Sequence, residues 1–228
     1  MLLFSVVLLF GVNAVFVSGS GSINDADEYL DEVLSVYVPW AVEKQNLKLY
    51  ELQDFSHNAQ ERSSDGSVTN FKILYFYGNL TGIQSIYRKS CERPQWTASN
   101  ITVTCSVTLP LLDVKYEGRQ QKVISTYNKA RFIQHNFGLT ASIADTQATI
   151  EITSSPHLNL PSIKRLQMKN VGKPTIKIIT DGFTENLDSE MISEHFFHKY
   201  TEMIQEIFLR PYRKALDMAV ASVPYPGL

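Results

Sequence analysis

Glu194, His198 and Glu202 are spaced four residues apart, and His195 lies beside the first of them. On a helix this spacing places the three side chains on one face, where carboxylate and imidazole groups could hold a metal ion. The same spacing is typical of a polar helix face stabilised by pairs of charged neighbours, such as Glu194 with His198. The second interpretation is the simpler one, so the sequence predicts no metal and no cofactor.

Motifs of the common enzyme classes do not occur in the sequence. It contains no G-x-S-x-G nucleophile motif, no H-E-x-x-H zinc motif and no glycine loop of the kind that binds phosphate. His57, His135 and His157 fall near predicted turns or strand ends, which is typical of polar surface residues. We therefore expect a protein that binds without performing chemistry, and we predict no catalytic residues.

The two cysteines, Cys91 and Cys105, are the next candidates for covalent chemistry. Residues 1–17 form an uncharged apolar run followed by a Ser and Gly cluster, which is typical of a signal peptide cleaved near Gly19 or Ser20. A close pair of cysteines in an exported chain favours a disulfide, and two buried free thiols are the alternative. We predict a signal peptide over residues 1–19, with a retained anchor as the alternative, and one secreted domain over residues 20–228.

Two N-x-[ST] sequons, at Asn79 and Asn100, are predicted glycosylation sites. A glycan requires solvent around its asparagine, and Asn100 is in phase with the polar residues of the strand that follows it. Asn79 lies between Gly78 and Gly82, where we expect a bulge or a bend.

Residues 100–111 alternate between apolar and polar side chains and predict a strand with one buried face. If Cys91 and Cys105 are opposite each other in an antiparallel pair, Tyr87 lies opposite Leu109, and Lys89 lies opposite Val107. Residues 92–99 then form the loop. Beyond Pro110 the apolar phase shifts by one residue, which predicts a bulge.

Further strands are predicted at residues 71–77, 123–136, 139–153 and 175–180, and a polar stretch at residues 57–67 precedes them. The breaks between them have hairpin lengths, so we expect an antiparallel, meandering sheet.

A helix is predicted at each end of this sheet. The first begins at Asn24 or Asp25 and is kinked or ended at Pro39. The second begins at Asp188 or Ser189, continues for more than thirty residues and is interrupted at Pro211. Their apolar stripes are Tyr29, Leu30, Val33, Leu34, Tyr37, Trp40 and Ala41 in the first, and Ile192, Phe196, Tyr200, Met203, Ile207, Phe208, Leu216, Ala219 and Val223 in the second. The second stripe needs a long apolar partner, and only the sheet offers one.

Charge is distributed unevenly along the chain. Residues 66–180 contain fourteen Lys or Arg against five Asp or Glu, whereas the segments before and after are acidic. This indicates either attraction between sheet and helices or a basic outer surface for anionic membranes, bacterial envelope glycolipids or sulfated glycans. Nucleic-acid binding is not predicted for a chain with a net charge of −2. The densest basic groups are Lys164, Arg165, Lys169, Lys173 and Lys177, and Arg119, Lys122, Lys129 and Arg131.

The leader, the two helices, the several strands and the segments NLKLYELQDFS, FYGNLTGIQSIYRKSC and VTCSVTLPLLDVKYEG together resemble the group 7 mite allergen family of arthropods. That family is similar to one half of bactericidal/permeability-increasing protein and to the juvenile-hormone-binding and takeout proteins. The resemblance implies an α+β fold in which a strongly curved antiparallel sheet wraps around the long C-terminal helix, forming half of a lipid-binding super-roll. It also implies an apolar groove for a lipid or another hydrophobic small molecule.

Two functions follow from these observations. The first is a secreted carrier of a hydrophobic molecule, and the second is a secreted protein that recognises microbial or host surfaces. Homodimerisation through an unpaired sheet edge is compatible with the sequence and is not decided by it. The alternative for each predicted lining residue is that it only fills the core. The predicted lining consists of Ile101, Val103, Val107 and Leu109 of the sheet and Phe196, Tyr200, Met203 and Ile207 of the helix.

Overall fold

The computed structural model describes residues 23–62, 64, 68–97, 100–126, 129–155, 158–180 and 188–225. The predicted signal peptide, residues 1–19, lies outside the described residues. Within them, no helix is both long enough and apolar enough to cross a lipid bilayer.

The N-terminal helix consists of α1 (Ile23–Glu32) and α2 (Val38–Lys44), joined by a π-helical turn at Val33–Tyr37. Pro39 does not end the helix, because the wider π turn directly precedes it and proline is tolerated in a first helical turn. The predicted stripe is buried at most positions, but the Trp40 side chain is 48% exposed. The prediction was wrong for Trp40, since the π turn rotates the residues after it.

The described residues form a nine-stranded sheet in which every pair of neighbouring strands is antiparallel. The strands are β1 (Tyr50–Leu52), β2 (Phe55–Arg62), β3 (Val68–Thr81), β4 (Tyr87–Cys91), β5 (Gln95–Thr97), β6 (Asn100–Thr126), β7 (Lys129–Ser155), β8 (Leu158–Asn170) and β9 (Pro174–Thr180).

The long hairpin of β6 and β7 forms the centre of the sheet, and its register is unbroken from Ile101 opposite Ser154 to Thr126 opposite Lys129. Its two halves have different neighbours. The half near the open end pairs with β4, β5 and β8, and the half near the turn pairs with β3 and β9. The predicted strand over residues 123–136 was therefore wrong, because the hairpin turn falls inside it.

The change of phase near Pro110 is observed, but a bulge between β6 and β7 does not cause it. On β6 the alternating series of buried residues ends at Leu109 and resumes at Leu112. On β7 it ends at Ile143 and resumes at Thr146. The pairing of β6 with β7 keeps the same register before and after this point. The two strands therefore change phase opposite each other. The hairpin thus turns a different set of side chains inward in each half.

The disulfide between Cys91 and Cys105 is confirmed, and the two residues are directly opposite each other on β4 and β6. The predicted neighbouring pairs were wrong: Tyr87 lies opposite Thr108, and Arg88 lies opposite Val107. A register shift at Lys89 is the cause. Part of the predicted loop, residues 95–97, forms strand β5.

The register shift at Lys89 explains how α1 attaches to the sheet. It places Arg88 opposite Val107, on the inner face. From there the Arg88 guanidinium contacts Asp27 at 3.0 Å and binds both carboxylate oxygens of Asp31, at 2.8 and 2.9 Å. Hydrogen bonding to Asp31 raises the pKa of Arg88. The basic sheet and the acidic helix therefore attract each other directly.

The C-terminal helix runs from α3 (Ser189–Ile207) through a π-helical turn (Phe208–Tyr212) into α4 (Arg213–Ala221). The predicted cap is confirmed, because the Asp188 carboxylate accepts a hydrogen bond from the Met191 N–H at 2.9 Å. The interruption predicted at Pro211 is the π turn, through which the helix continues.

Hydrogen bonds between this helix and the sheet region fasten the helix along its length. The Tyr75 hydroxyl donates to the Ile192 carbonyl at 2.9 Å, and the Tyr200 hydroxyl donates to the Gly172 carbonyl at 3.0 Å. Near the other end, Arg213 donates to the Ile163 carbonyl of β8 at 3.2 Å. The predicted fold class is confirmed: a curved antiparallel sheet packs on a long C-terminal helix, with a second helix at the N-terminus.

Candidate functional site

The four predicted lining residues of the sheet, Ile101, Val103, Val107 and Leu109, are each only 1–2% exposed. They belong to one continuous apolar core. None of them lines any of the three grooves described below. Their contact with a ligand stays a prediction.

The four predicted lining residues of the helix divide into two pairs. Phe196 and Tyr200 are buried, at 0% and 3% exposure, and their rings stack with centroids 6.3 Å apart. Met203 and Ile207, one and two turns further along α3, border a groove between the helix and the sheet. The helix stripe therefore passes from filled core to open space between Tyr200 and Met203.

This groove, which we call the corner groove, has a volume of about 380 Å³. It lies between the corner that joins β1 to β2 and the middle of the C-terminal helix, from Lys199 to Pro211. Its apolar side chains are buried or half-buried, and its charged side chains are exposed. It is lined by Tyr50, Leu52, Gln53, Asp54, Phe55, Lys199, Met203, Glu206, Ile207, Arg210 and Pro211.

Aromatic residues fix the wall of the corner groove. The Phe55 ring stacks on Tyr75 with centroids 4.3 Å apart. The Tyr116 hydroxyl donates to the Gln53 carbonyl at 3.0 Å and lies 3.4 Å from the Met203 sulfur. Burial raises the pKa of Tyr116, with a smaller contribution from Asp54, so its hydroxyl remains a donor at neutral pH.

Charges at the rim of the corner groove largely neutralise one another. Arg210 pairs with Glu206 at 3.2 Å, and Lys199 pairs with Glu202 at 2.6 Å. The Asp54 carboxylate accepts a hydrogen bond from the Tyr77 N–H at 3.1 Å. A rim of this kind provides no strong field for an ion, so the groove suits an apolar guest.

A second groove of about 430 Å³, the histidine groove, lies between β2 and the first half of α3. At its centre the rings of His57 and His195 stack with centroids 3.5 Å apart. Burial lowers the pKa of His195, the charge of His57 lowers it further, and Glu194 partly opposes both effects. His195 is therefore neutral at pH 7. The histidine groove is lined by His57, Asn58, Ala59, Gln60, Asp188, Glu190, Met191, Glu194 and His195.

The residues that could have held a metal form charge pairs along the helix. Glu194 lies 4.0 Å from His198, and Glu202 is the partner of Lys199. Across the described ranges, no group of three or more His, Cys, Asp or Glu side chains is arranged to hold a metal ion.

The outer face of the sheet carries a polar groove of about 490 Å³ across β4, β6, β7 and β8, with Arg165 and Lys169 in its lining. The five predicted basic residues of β8, β9 and their connection are all exposed. One of them, Lys164, pairs with Glu151 at 2.7 Å. We call Lys164, Arg165, Lys169, Lys173 and Lys177 the basic surface.

The second basic group does not form one surface. Arg119 hydrogen-bonds Asn136 at 3.1 Å, whereas Lys122, on the opposite face of β6, lies over the Phe71 ring at 5.8 Å. The side chains of Lys129 and Arg131 lie outside the described residues.

The two sequons lie in different surroundings. Asn100 is exposed at the start of β6, and Asn79 is half-buried in β3. The expected irregularity beside Asn79 is observed as a register shift between Phe76 and Asn79, where Tyr77 has a φ of 54°. Glycosylation of both stays a prediction.

Buried polar side chains were missed by the sequence analysis. Gln120, Thr146 and Tyr212 are 0–1% exposed, and within the described residues their side-chain oxygen and nitrogen atoms have no hydrogen-bond partner. For Gln120 a signal existed, because it follows Tyr116 and Gly118 on the inward phase of β6.

Comparison with models of known protein families finds no match, and comparison with curated protein sequences finds none either. Among solved structures, lipopolysaccharide binding protein is similar with a TM-score of 0.41 and 12% identity over 91% of this chain and 39% of that one. Takeout 1 of Epiphyas postvittana is similar with a TM-score of 0.35 and 12% identity over 87% of this chain and 92% of that one. This chain therefore spans about two fifths of lipopolysaccharide binding protein. The resemblance to group 7 mite allergens is not confirmed.

Proposed function

We propose that this chain is a secreted, non-enzymatic carrier that binds a lipid or another hydrophobic small molecule between its sheet and its C-terminal helix. The corner groove is the observation that carries the proposal. It combines about 380 Å³ of space with apolar walls and a self-neutralised rim. Binding sites for small apolar molecules are concave and combine apolar walls with a few polar groups.

The lining residues support binding of varied guests. Met203 is unbranched and polarisable, so its side chain adapts to different apolar shapes. Leu52 and Ile207 are 7% and 6% exposed and form a floor that a ligand would cover. Phe55 and Pro211 add to the apolar part of the lining.

The disulfide, the apolar N-terminal run and the sequons support secretion. The Cys91–Cys105 disulfide is of a kind that forms and persists in oxidising compartments. The uncharged apolar run at residues 1–17 and the two sequons point to the same route.

Equilibrium titration with a fluorescent fatty-acid analogue tests the carrier function. We expect saturable binding with one molecule bound per chain at micromolar or lower concentration, displaced by unlabelled long-chain lipids. Binding that never saturates, or that a denatured sample reproduces, would contradict the proposal.

A second function is favoured by the basic surface. Residues 158–180 contain five Lys or Arg and no Asp or Glu, and four of the five have no ion pair within the described residues. Such a surface suits anionic lipid headgroups or envelope glycolipids. Cosedimentation with vesicles of phosphatidylglycerol, compared with phosphatidylcholine, tests it. We expect anionic vesicles alone to bind, and more weakly as salt rises.

A further inference from the structure

One side chain on the inner face of the sheet is buried in a way that the fold itself does not explain. Gln120 of β6 is 1% exposed, and neither its Nε2 nor its Oε1 has a hydrogen-bond partner in the described part of the chain. Buried amide groups without partners lower stability, and they are rare in folded proteins. Here a single side chain leaves both a donor and an acceptor unused.

The register of the sheet shows what surrounds this amide. Gln120 lies opposite Ile73 of β3 on one side and opposite His135 of β7 on the other. Along the same inner face, the neighbouring row contains Tyr75 and Phe137, whose ring centroids are 5.8 Å apart. The amide therefore has an apolar residue on one side, a histidine on the other and an aromatic row beside it.

The same row continues to the edge of the sheet and to α3. Ile73 lies opposite His57 of β2, which stacks on His195 of the helix. The row from His57 to His135 therefore contains three polar side chains on a face that is otherwise mainly apolar.

The inner face opens to solvent one row closer to the β6–β7 turn. That row contains Phe71, Lys122 and Ile133. Phe71 is 6% exposed, whereas Ile133 is 43% exposed although it is in phase with the buried positions of β7. The buried amide of Gln120 is therefore one row away from an apolar side chain that solvent reaches.

We infer that Gln120 binds the polar end of the carried molecule, and that this molecule is a long apolar chain with one terminal O–H group, as in a fatty alcohol or a protonated fatty acid. The inference rests on the proposed carrier function and assigns the end group of its ligand. The Gln120 carbonyl accepts the hydrogen bond of the O–H, and the Gln120 NH₂ donates to its oxygen. The hydrocarbon chain lies against the apolar residues around the amide.

The test measures the affinity of three proteins for 1-dodecanol and for dodecane by displacement of a fluorescent apolar probe. The proteins are the wild type, Gln120→Met and Gln121→Met. Gln121 is the matched control, because it is half-buried on the opposite face of the same strand. Gln120→Met should weaken dodecanol binding about tenfold and leave dodecane binding unchanged, since only the alcohol loses hydrogen bonds. Gln121→Met should change neither.

Thermal unfolding provides a second readout. Without ligand, Gln120→Met should unfold at a temperature at least about 2 °C higher than the wild type, because it removes two unpartnered buried atoms. A lower melting temperature with unchanged dodecanol affinity would overturn the inference. If Gln120→Met does not fold, Gln120→Asn, which withdraws the amide by one methylene, should show the same selective loss of dodecanol.

The outcomes separate this inference from the carrier function. If the wild type binds dodecane and dodecanol, and Gln120→Met binds both equally well, the carrier function holds and the role of Gln120 is refuted. If the wild type binds neither the fluorescent probe nor the two ligands, the carrier function fails and the inference fails with it.

Discussion

At the scale of single residues, Met203 marks the point where the packed core ends. The stripe of α3 is buried at Phe196 and Tyr200, and both rings are covered by the sheet. Met203 is half-buried, packs against the same core and borders the corner groove. Its volume therefore decides how much of the groove remains free.

Met203→Trp should fill the corner groove and weaken binding of a fluorescent fatty-acid analogue at least about fivefold, because the indole takes the space of the ligand. The control is Met191→Trp, which changes the same residue type on the same helix but faces the histidine groove. Titration of both folded variants checks this. Equal loss of affinity in both would show that the corner groove is not the site.

The Cys91–Cys105 disulfide closes a loop with a sequence separation of 14 residues and ties β4 to β6. A loop of this size stabilises the folded state by about 3 kcal/mol in the chain-entropy model. Replacing both cysteines by alanine should lower the melting temperature by about 6–12 °C. Calorimetry of the double variant checks this, and an unchanged melting temperature would contradict the account.

At the scale of elements, β2 and α3 meet along a line that holds both grooves. The described strand partner of β2 is β3, and β2 lines the histidine groove together with α3. The side chains of β2 are mostly exposed, and Ala59, at 8% exposure, is the buried one. This is why the sequence of β2 was interpreted as a polar stretch. An edge strand with so little buried surface can separate from the helix at small energetic cost.

The His57–His195 stack joins β2 to α3 and makes this contact sensitive to acid. The other titratable groups that line the groove, Asp188, Glu190 and Glu194, are on or next to the helix. Since burial and the charge of His57 lower the pKa of His195, the unfolded chain takes up its proton more readily than the folded chain. Stability should therefore fall as the pH drops through about 6.5 and below.

His195→Phe keeps an aromatic ring in the stack and removes the titrating group, so it should flatten the dependence of stability on pH between 7.5 and 5. The control is His198→Gln on the exposed side of the same helix, which removes only the smallest of the effects that shift the pKa of His195 and should keep most of the wild-type dependence. Urea unfolding at several pH values checks both variants. A wild-type slope in His195→Phe would show that the stack does not control this contact.

Regular alternation made some elements predictable, and its interruption hid others. The strand at residues 100–111 and the capped C-terminal helix follow clear periods of two and 3.6. Strand β8 was missed because three register shifts in its pairing with β7, together with Pro161, disturb its alternation. For the site, the helix stripe was predictable, but the approach of Leu52 and Phe55 was not, since pairing between distant segments leaves no local signal.

At the scale of the whole molecule, charge has two separate roles. Arg88 of the sheet binds two acidic residues of α1, so part of the basic sheet attracts the acidic helices as predicted. The basic surface on β8 and β9 takes almost no part in this pairing and remains available to an external partner. The two proposed functions would combine in a carrier that collects its guest at an anionic membrane.

The central claim is that a hydrophobic molecule is held between the sheet and the C-terminal helix. Native mass spectrometry of the protein secreted from a eukaryotic host tests it most directly. We predict an added mass of one lipid-sized molecule per chain, released on activation in the gas phase and reduced in Met203→Trp but not in Met191→Trp. A spectrum showing only the bare or glycosylated chain, even after incubation with lipid extracts, would contradict it.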